Sequence, residues 1–113
     1  MSAEALKGHL DALLLATLAE GPRHGYAIKE MLRLNSDGQF DLPTGTVYPA
    51  LHRLERGGLI RSSWSEVGGR RRRSYKLTAA GRRALEEKRA DWRQFSAAVT
   101  GLLEGRPCPA PAT

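Results

Sequence analysis

The pair Gly68-Gly69 constrains the fold of this chain more than any other feature. It divides the two runs with strand character, Leu59 to Ser65 and Arg71 to Leu77. Adjacent glycines supply the positive φ that a tight primed turn needs. The runs are therefore expected to fold back as an antiparallel hairpin joined through Val67-Gly68-Gly69-Arg70. Period-two alternation then brings Ile60 and Trp64 onto one face with Tyr75 and Leu77, and leaves the arginines toward the tip.

Around the hairpin the apolar period changes from two to about 3.6. Leu6, Leu10, Leu13, Leu14 and Leu18 recur at spacings of three and four, which predicts a first helix from about Ala3 to Ala19. Gly21-Pro22 stops it. A second helix is expected from His24 or Gly25 to Leu34, with Ala27, Ile28, Met31 and Leu32 inward, followed by the turn cluster 35–38. A third spans Thr44 to Arg56 with Val47, Ala50, Leu51 and Leu54 as its apolar face. Thr44 or Thr46 is the expected cap; if it is Thr46, Pro49 falls in the first turn, where its missing N–H costs nothing. Gly57-Gly58 ends the helix. After the hairpin, Thr78 caps a long helix from about Ala79 to Glu104. Gly105 to Thr113, with three prolines in nine residues, reads as a flexible tail.

The order helix, helix, helix, two-stranded hairpin, long helix is that of a winged helix-turn-helix with an appended C-terminal helix, a mainly α fold with a β wing (α+β). Its expected division is a winged domain over 1–77, a dimerisation helix over 78–104 and a tail over 105–113.

Charge is concentrated on the hairpin and the turn after it. From Arg61 to Arg83 there are eight Lys/Arg against the single acid Glu66, a surplus of seven, whereas the whole chain carries +6. A cationic wing attached to a near-neutral body is an electrostatic footprint whose natural partner is a phosphate backbone. Arg70, Arg71, Arg72, Arg73 and Lys76 carry it. The side of the third helix opposite its apolar face presents Gly45, Thr46, Tyr48, Pro49, His52, Arg53 and Arg56. This face is small and polar at one end and cationic at the other, which suits the major groove of double-stranded DNA.

At 113 residues, 41% hydrophobic and 27% charged, the chain has room for one domain with a modest core. No run approaches the roughly 20 apolar residues of a membrane span, and the N-terminus lacks a secretory signal; a cytoplasmic protein with no membrane partner is expected. Cys108 is the single cysteine, and His9, His24 and His52 are far apart, so no metal site and no cofactor are expected. No nucleophile–base pair is evident, and Gly68-Gly69 lacks the following helix that a phosphate-binding loop needs, so an enzyme is not expected.

Three linked stretches resemble the PadR family of transcriptional regulators. They are Gly-Pro-Arg-His-Gly-Tyr-Ala-Ile at 21–28, Gly-Thr-Val-Tyr-Pro-Ala-Leu-His-Arg-Leu-Glu-Arg-Gly-Gly-Leu-Ile at 45–60, and the wing from Gly69 to Thr78 with Gly81 beyond it. The single C-terminal helix is similar to the short branch of that family. Ser74 stands where many relatives place a second aromatic. The resemblance implies that Thr46, Tyr48, Pro49 and Arg53 sit at the DNA face and that the wing arginines reach phosphate or minor groove. For Tyr26, a packing role and a DNA contact both stand open.

The last helix carries Leu85, Trp92, Phe95, Val99 and Leu102 at spacings of 7, 3, 4 and 3, a heptad-like seam with Lys88 at the missing position. The winged body has little surface left to bury it. A second copy is the simplest cover, giving a homodimer that presents two recognition helices to a pseudo-palindromic operator; Leu6 and Leu10 are candidates for the same interface. By resemblance to drug-responsive members of the short branch, Trp92 and Phe95 are also candidates for binding a flat aromatic effector, the alternative being plain dimer core. Two functions follow. One is a dimeric repressor released by such an effector. The other is a winged-helix interaction module whose basic wing binds an acidic protein partner.

Overall fold

In the computed structural model, which describes Leu6 and residues 8–105, seven elements follow one another. They are α1 (Leu10–Thr17), β1 (Arg23–His24), α2 (Gly25–Asn35), α3 (Thr44–Arg56), β2 (Ile60–Val67), β3 (Arg70–Leu77) and α4 (Ala79–Leu103). Cys108 and the tail expected over 105–113 lie outside the described residues except for Gly105, as does most of the segment before Gly8.

The core gathers Leu10, Leu14, Leu15 and Leu18 from α1 and its C-terminal turn, Ile28 and Leu32 from α2, and Val47, Ala50, Leu51 and Leu54 from α3. Ile60, Tyr75 and Leu77 from the sheet and Leu85 from α4 complete it. Each set follows the period of its element, so the inward faces expected for α2 and α3 hold in outline. On α1, Leu15 is fully buried while Leu13 is only partly so. The expected course of that helix is interrupted among the described residues: Leu6 is helical, Gly8 and His9 form a turn in which the His9 amide donates to Leu6 O at 2.9 Å, and the regular helix runs from Leu10.

Two expectations about α3 are corrected. Neither Thr44 nor Thr46 caps it. Pro43, in extended conformation, is the cap residue, and its carbonyl accepts from the amides of Thr46 and Val47 at 3.0 and 3.2 Å. Pro49 is consequently the sixth helical residue, inside the helix and past its first turn. Its ring crowds the carbonyl four residues back and offers it no N–H. That carbonyl belongs to Gly45, which is exposed, so water can serve it.

The hairpin forms as expected, with longer strands. Gly68 and Gly69 have φ of +59° and +78°, the two left-handed residues of a two-residue primed turn. The register runs from Ile60↔Leu77 to Val67↔Arg70. A third strand joins it: β1 pairs antiparallel with β3, Arg23 opposite Tyr75 and His24 opposite Ser74, giving the order β1-β3-β2. The expected two-stranded wing is therefore the larger part of a three-stranded sheet. Trp64 does share a face with Tyr75 and Leu77, but its cross-strand partner is Arg73, and 58% of it is exposed. The core ends one step earlier, at Ser62 opposite Tyr75.

α4 is rooted at the base of the hairpin. Thr78 caps it, its hydroxyl accepting from the Gly81 amide at 3.0 Å and donating to Gly58 O at 2.6 Å; the Thr78 amide donates to Leu59 O at 3.1 Å. Gly81 passes so close to this carbonyl that a Cβ there would lie 1.8 Å from Leu59 O. Leu85, one turn on, is 2% exposed within the core. Beyond it the helix leaves the body. The radius of gyration is 17.5 Å and the longest extent 71 Å, against about 13 Å for a compact chain of this size. Among the described residues no helix is long and apolar enough to cross a membrane.

Candidate nucleic-acid interface

α3 buries Val47, Ala50, Leu51 and Leu54 and turns Gly45, Tyr48, Pro49, His52, Arg53 and Arg56 to the outside, with Thr46 half-buried between them. The side chains assigned to base readout thus share one face of one helix. Arg53 is not free on it: Nη2 donates to Asp11 Oδ1 of α1 at 2.5 Å.

Tyr48 is half turned inward across the start of α2. A Cβ on Gly25 would stand 2.6 Å from both Cε1 and Oη of Tyr48, so position 25 is glycine to let this ring lie down. Tyr26 is 65% exposed, which removes the packing reading for it. His24 and Gly25, at the start of α2, together with Tyr26, Tyr48, Arg72 and Arg73, line a cleft of about 270 Å³ between this helix end and the wing. No side chain caps α2, so its first-turn amides are open to an acceptor.

Opposite residues of an antiparallel pair share a face, which sorts the wing cations into two sets. The outward face carries Arg61, Lys76, Arg72 and Arg70, all exposed and with no acid among them. The core-side face, beyond the core, carries Arg71 and Arg73, stacked over the Trp64 ring at 4.8 and 5.6 Å. Arg73 is further engaged by Ser62 Oγ at 2.9 Å and Glu55 Oε1 at 3.5 Å. Glu55 accepts from the Ser62 hydroxyl and amide, and these bonds, with the hydroxyl contributing most, hold its carboxyl below its ordinary range. Glu55, Ser62 and the stacking role of Trp64 were not legible in the sequence. The nearest signal is the spacing of an acid at the end of α3 from an arginine-rich strand.

The residues expected at a subunit interface separate into two groups. Leu10 and Leu85 belong to the chain's own core and offer no surface to a partner. Trp92, Phe95 and Leu102 are 51%, 59% and 85% exposed, Leu103 beside them is 80% exposed, and Val99 and Leu6 are partly buried. Trp92 makes an edge contact with His9 at 5.3 Å and a tilted one with Phe95 at 6.1 Å. Gly8, His9, Lys88, Asp91, Trp92 and Phe95 line a cleft of about 230 Å³. His9 is a part of this aromatic cluster that helical periodicity alone did not place.

Comparison with known proteins agrees with this architecture. The transcriptional regulator Rv3488 of Mycobacterium tuberculosis is 40% identical over 79 residues, covering 70% of this chain and 61% of that protein. A PadR-like transcriptional regulator of Bacillus cereus superposes with a TM-score of 0.81 at 30% identity, covering 92% of this chain and all of the other. Bacillus subtilis PadR, solved in complex with operator DNA, shares the fold at a TM-score of 0.63 and 23% identity, over 92% of this chain and 52% of that one. Residues 14–87, from α1 through the cap and first turns of α4, match the model of the transcriptional regulator PadR-like family, a family of regulators and not of enzymes, and to that family this chain belongs.

Proposed function

We propose that the chain binds duplex DNA as a homodimer and represses transcription by occupying an operator. In this reading α3 reads the major groove through Thr46, Tyr48, Pro49, His52 and Arg53, while the wing holds the backbone. The observation that carries it is the outward wing face: Arg61, Arg70, Arg72 and Lys76 stand together with no acid on that face, and Arg72 lines the same cleft as Tyr48 of α3. Phosphates are the partner that such a face fits. The fold shared with an operator-bound relative supports the same reading. α4 supplies the pairing surface through Trp92, Phe95, Val99 and Leu102. The aromatic cleft at Trp92 and Phe95 suits a flat apolar effector whose binding alters the spacing of the two recognition helices.

The test is fluorescence anisotropy at physiological salt, with the duplex upstream of the chain's own gene, or one selected from genomic fragments, against a scrambled duplex. A preference of about a thousandfold is expected. Neutralising Arg70 and Arg72 lowers affinity on both duplexes and flattens the salt dependence by about 0.9 per lost phosphate contact. Changing Tyr48 or His52 costs more on the operator than on the scrambled duplex. Weak binding without preference on every fragment sinks the regulator reading and favours the protein-interaction module.

A further inference from the structure

One side-chain network joins the recognition helix to the wing. Glu55 is the single acid of α3. Its Oε2 accepts from the Ser62 amide at 3.2 Å and from the Ser62 hydroxyl at 2.5 Å, and its Oε1 lies 3.5 Å from Arg73 Nη2. The same hydroxyl accepts from Arg73 Nε at 2.9 Å. With its one proton given to Glu55 and a lone pair to Arg73, the Ser62 hydroxyl is fixed in orientation. Arg73 then lies over the Trp64 ring, and Arg71 lies over it too. A carboxylate on α3 therefore engages the guanidinium of Arg73 halfway out along the wing, which shares the Trp64 ring with Arg71 nearer the tip.

An acid in this place is costly for a surface meant to meet phosphate, since its charge repels the ligand. Its carboxyl is nonetheless held in the ionised form, with the Ser62 hydroxyl contributing most. The acid of the wing itself, Glu66, stands nearer the tip, opposite Arg71. Glu55 is thus the acid that bonds both strands of the hairpin to α3.

We propose that Glu55 is a positioning residue that sets the pitch of the wing against the recognition helix, acting through Ser62, Arg73 and Trp64. Arg73 is in consequence an internal tie and not a phosphate ligand. The outward cations Arg61, Arg70, Arg72 and Lys76 are held at a set distance from the face of α3. This inference rests on the DNA-binding reading above and assigns the residue that makes its two halves act together.

Its test is one of sign. By charge alone, Glu55→Gln removes a repulsive group and tightens binding to every duplex. By positioning, the same change weakens operator binding severalfold and lowers the preference for operator over scrambled duplex, because glutamine keeps an acceptor for the Ser62 amide but cannot hold Arg73 as an ion pair. A second readout needs no DNA: the Trp64 indole N–H resonance, identified by its absence in Trp64→Phe, shifts in Glu55→Gln as Arg73 leaves the ring. Weaker operator binding together with a shifted resonance is the expected result. Equal or tighter operator binding overturns the proposal, and so does an unmoved Trp64 resonance. Should Glu55→Gln lose its helical circular dichroism, Ser62→Ala repeats the test with both charges in place and the same two outcomes. If the unaltered chain prefers no duplex, the DNA-binding reading falls by itself, while the Trp64 resonance still decides whether Glu55 ties down the wing.

Discussion

Arg53 carries two obligations that exclude each other. In the proposed function it reaches a base from the exposed face of α3, yet its guanidinium rests on Asp11 of α1, with 54% and 37% of the two side chains exposed. In that reading, binding an operator requires that this pair open. Exposed ion pairs are worth about 0.2–1 kcal/mol, so the resting contact is a small toll and not a lock. Asp11→Asn removes it, and operator affinity measured by anisotropy is expected to rise by up to about fivefold, the ratio that 1 kcal/mol supports, with little change in melting temperature. Unchanged or weaker operator binding would show that Arg53 reads nothing. Tyr48 shows the opposite relation between structure and use. Its ring is already laid against the start of α2, in the space that Gly25 leaves open, so it meets a ligand in a posture it need not acquire.

Among the elements, α4 has the most demanding junction. The helix begins where the Thr78 hydroxyl and amide bond Gly58 and Leu59, and Gly81 then slides past the Leu59 carbonyl with no room for a methyl group. Because both sides of that contact are backbone, Gly81→Ala forces the root of α4 away from the hairpin. Overpacking of this kind costs about 1–3 kcal/mol. At roughly 4–8 °C per kcal/mol for a small domain, a fall of about 5 °C or more is expected in thermal melting followed by circular dichroism. An unchanged midpoint would mean that the junction is looser than its geometry. The threonine of this junction was legible as a cap signal, Gly81 only through the family resemblance, and the hairpin was legible from Gly68-Gly69 because only a primed turn uses two left-handed residues in succession. Other elements were hidden for physical reasons. β1 is two residues long, too short for any period to register, and exists because β3 offers it an edge. The start of α3 at Thr44 was legible, but its cap at Pro43 was obscured by two threonines, either of which is a better capping residue by type. Leu85 and Trp92 belong to one heptad seam in the sequence. Only the point at which α4 leaves the body separates a core residue from an exposed one. For the candidate site, residue type and spacing sufficed to gather the wing cations as one set and the α3 face, whereas sorting those cations by face and finding the Glu55–Ser62–Arg73 tie depend on a strand register that no local pattern encodes.

At the scale of the whole molecule the chain is a compact winged body with a long projecting helix. Trp92, Phe95, Leu102 and Leu103 form an apolar stripe on that projection that the body does not cover. A stripe of this kind in water calls for a partner, and the proposed one is a second copy. Sedimentation at micromolar concentration is expected to give the mass of a dimer, and Trp92→Ala combined with Leu102→Ala to shift it toward monomer; a monomeric unaltered chain would remove the homodimer from the proposed function. The root of α4 gives such a pairing mechanical meaning. Its 25 residues at about 1.5 Å each span roughly 37 Å, rooted where Thr78 bonds Gly58 O and Leu59 O, between the end of α3 and the start of the hairpin. A rotation of about ten degrees at that root would sweep the far end through some 6 Å. In the proposed dimer, a flat molecule wedged between two such arms near Trp92 would have to part them only slightly to change the angle at which each body presents its helix to the groove. The glycine that permits so close a fulcrum is what would let a small displacement at one end of the molecule be felt as a change of aim at the other.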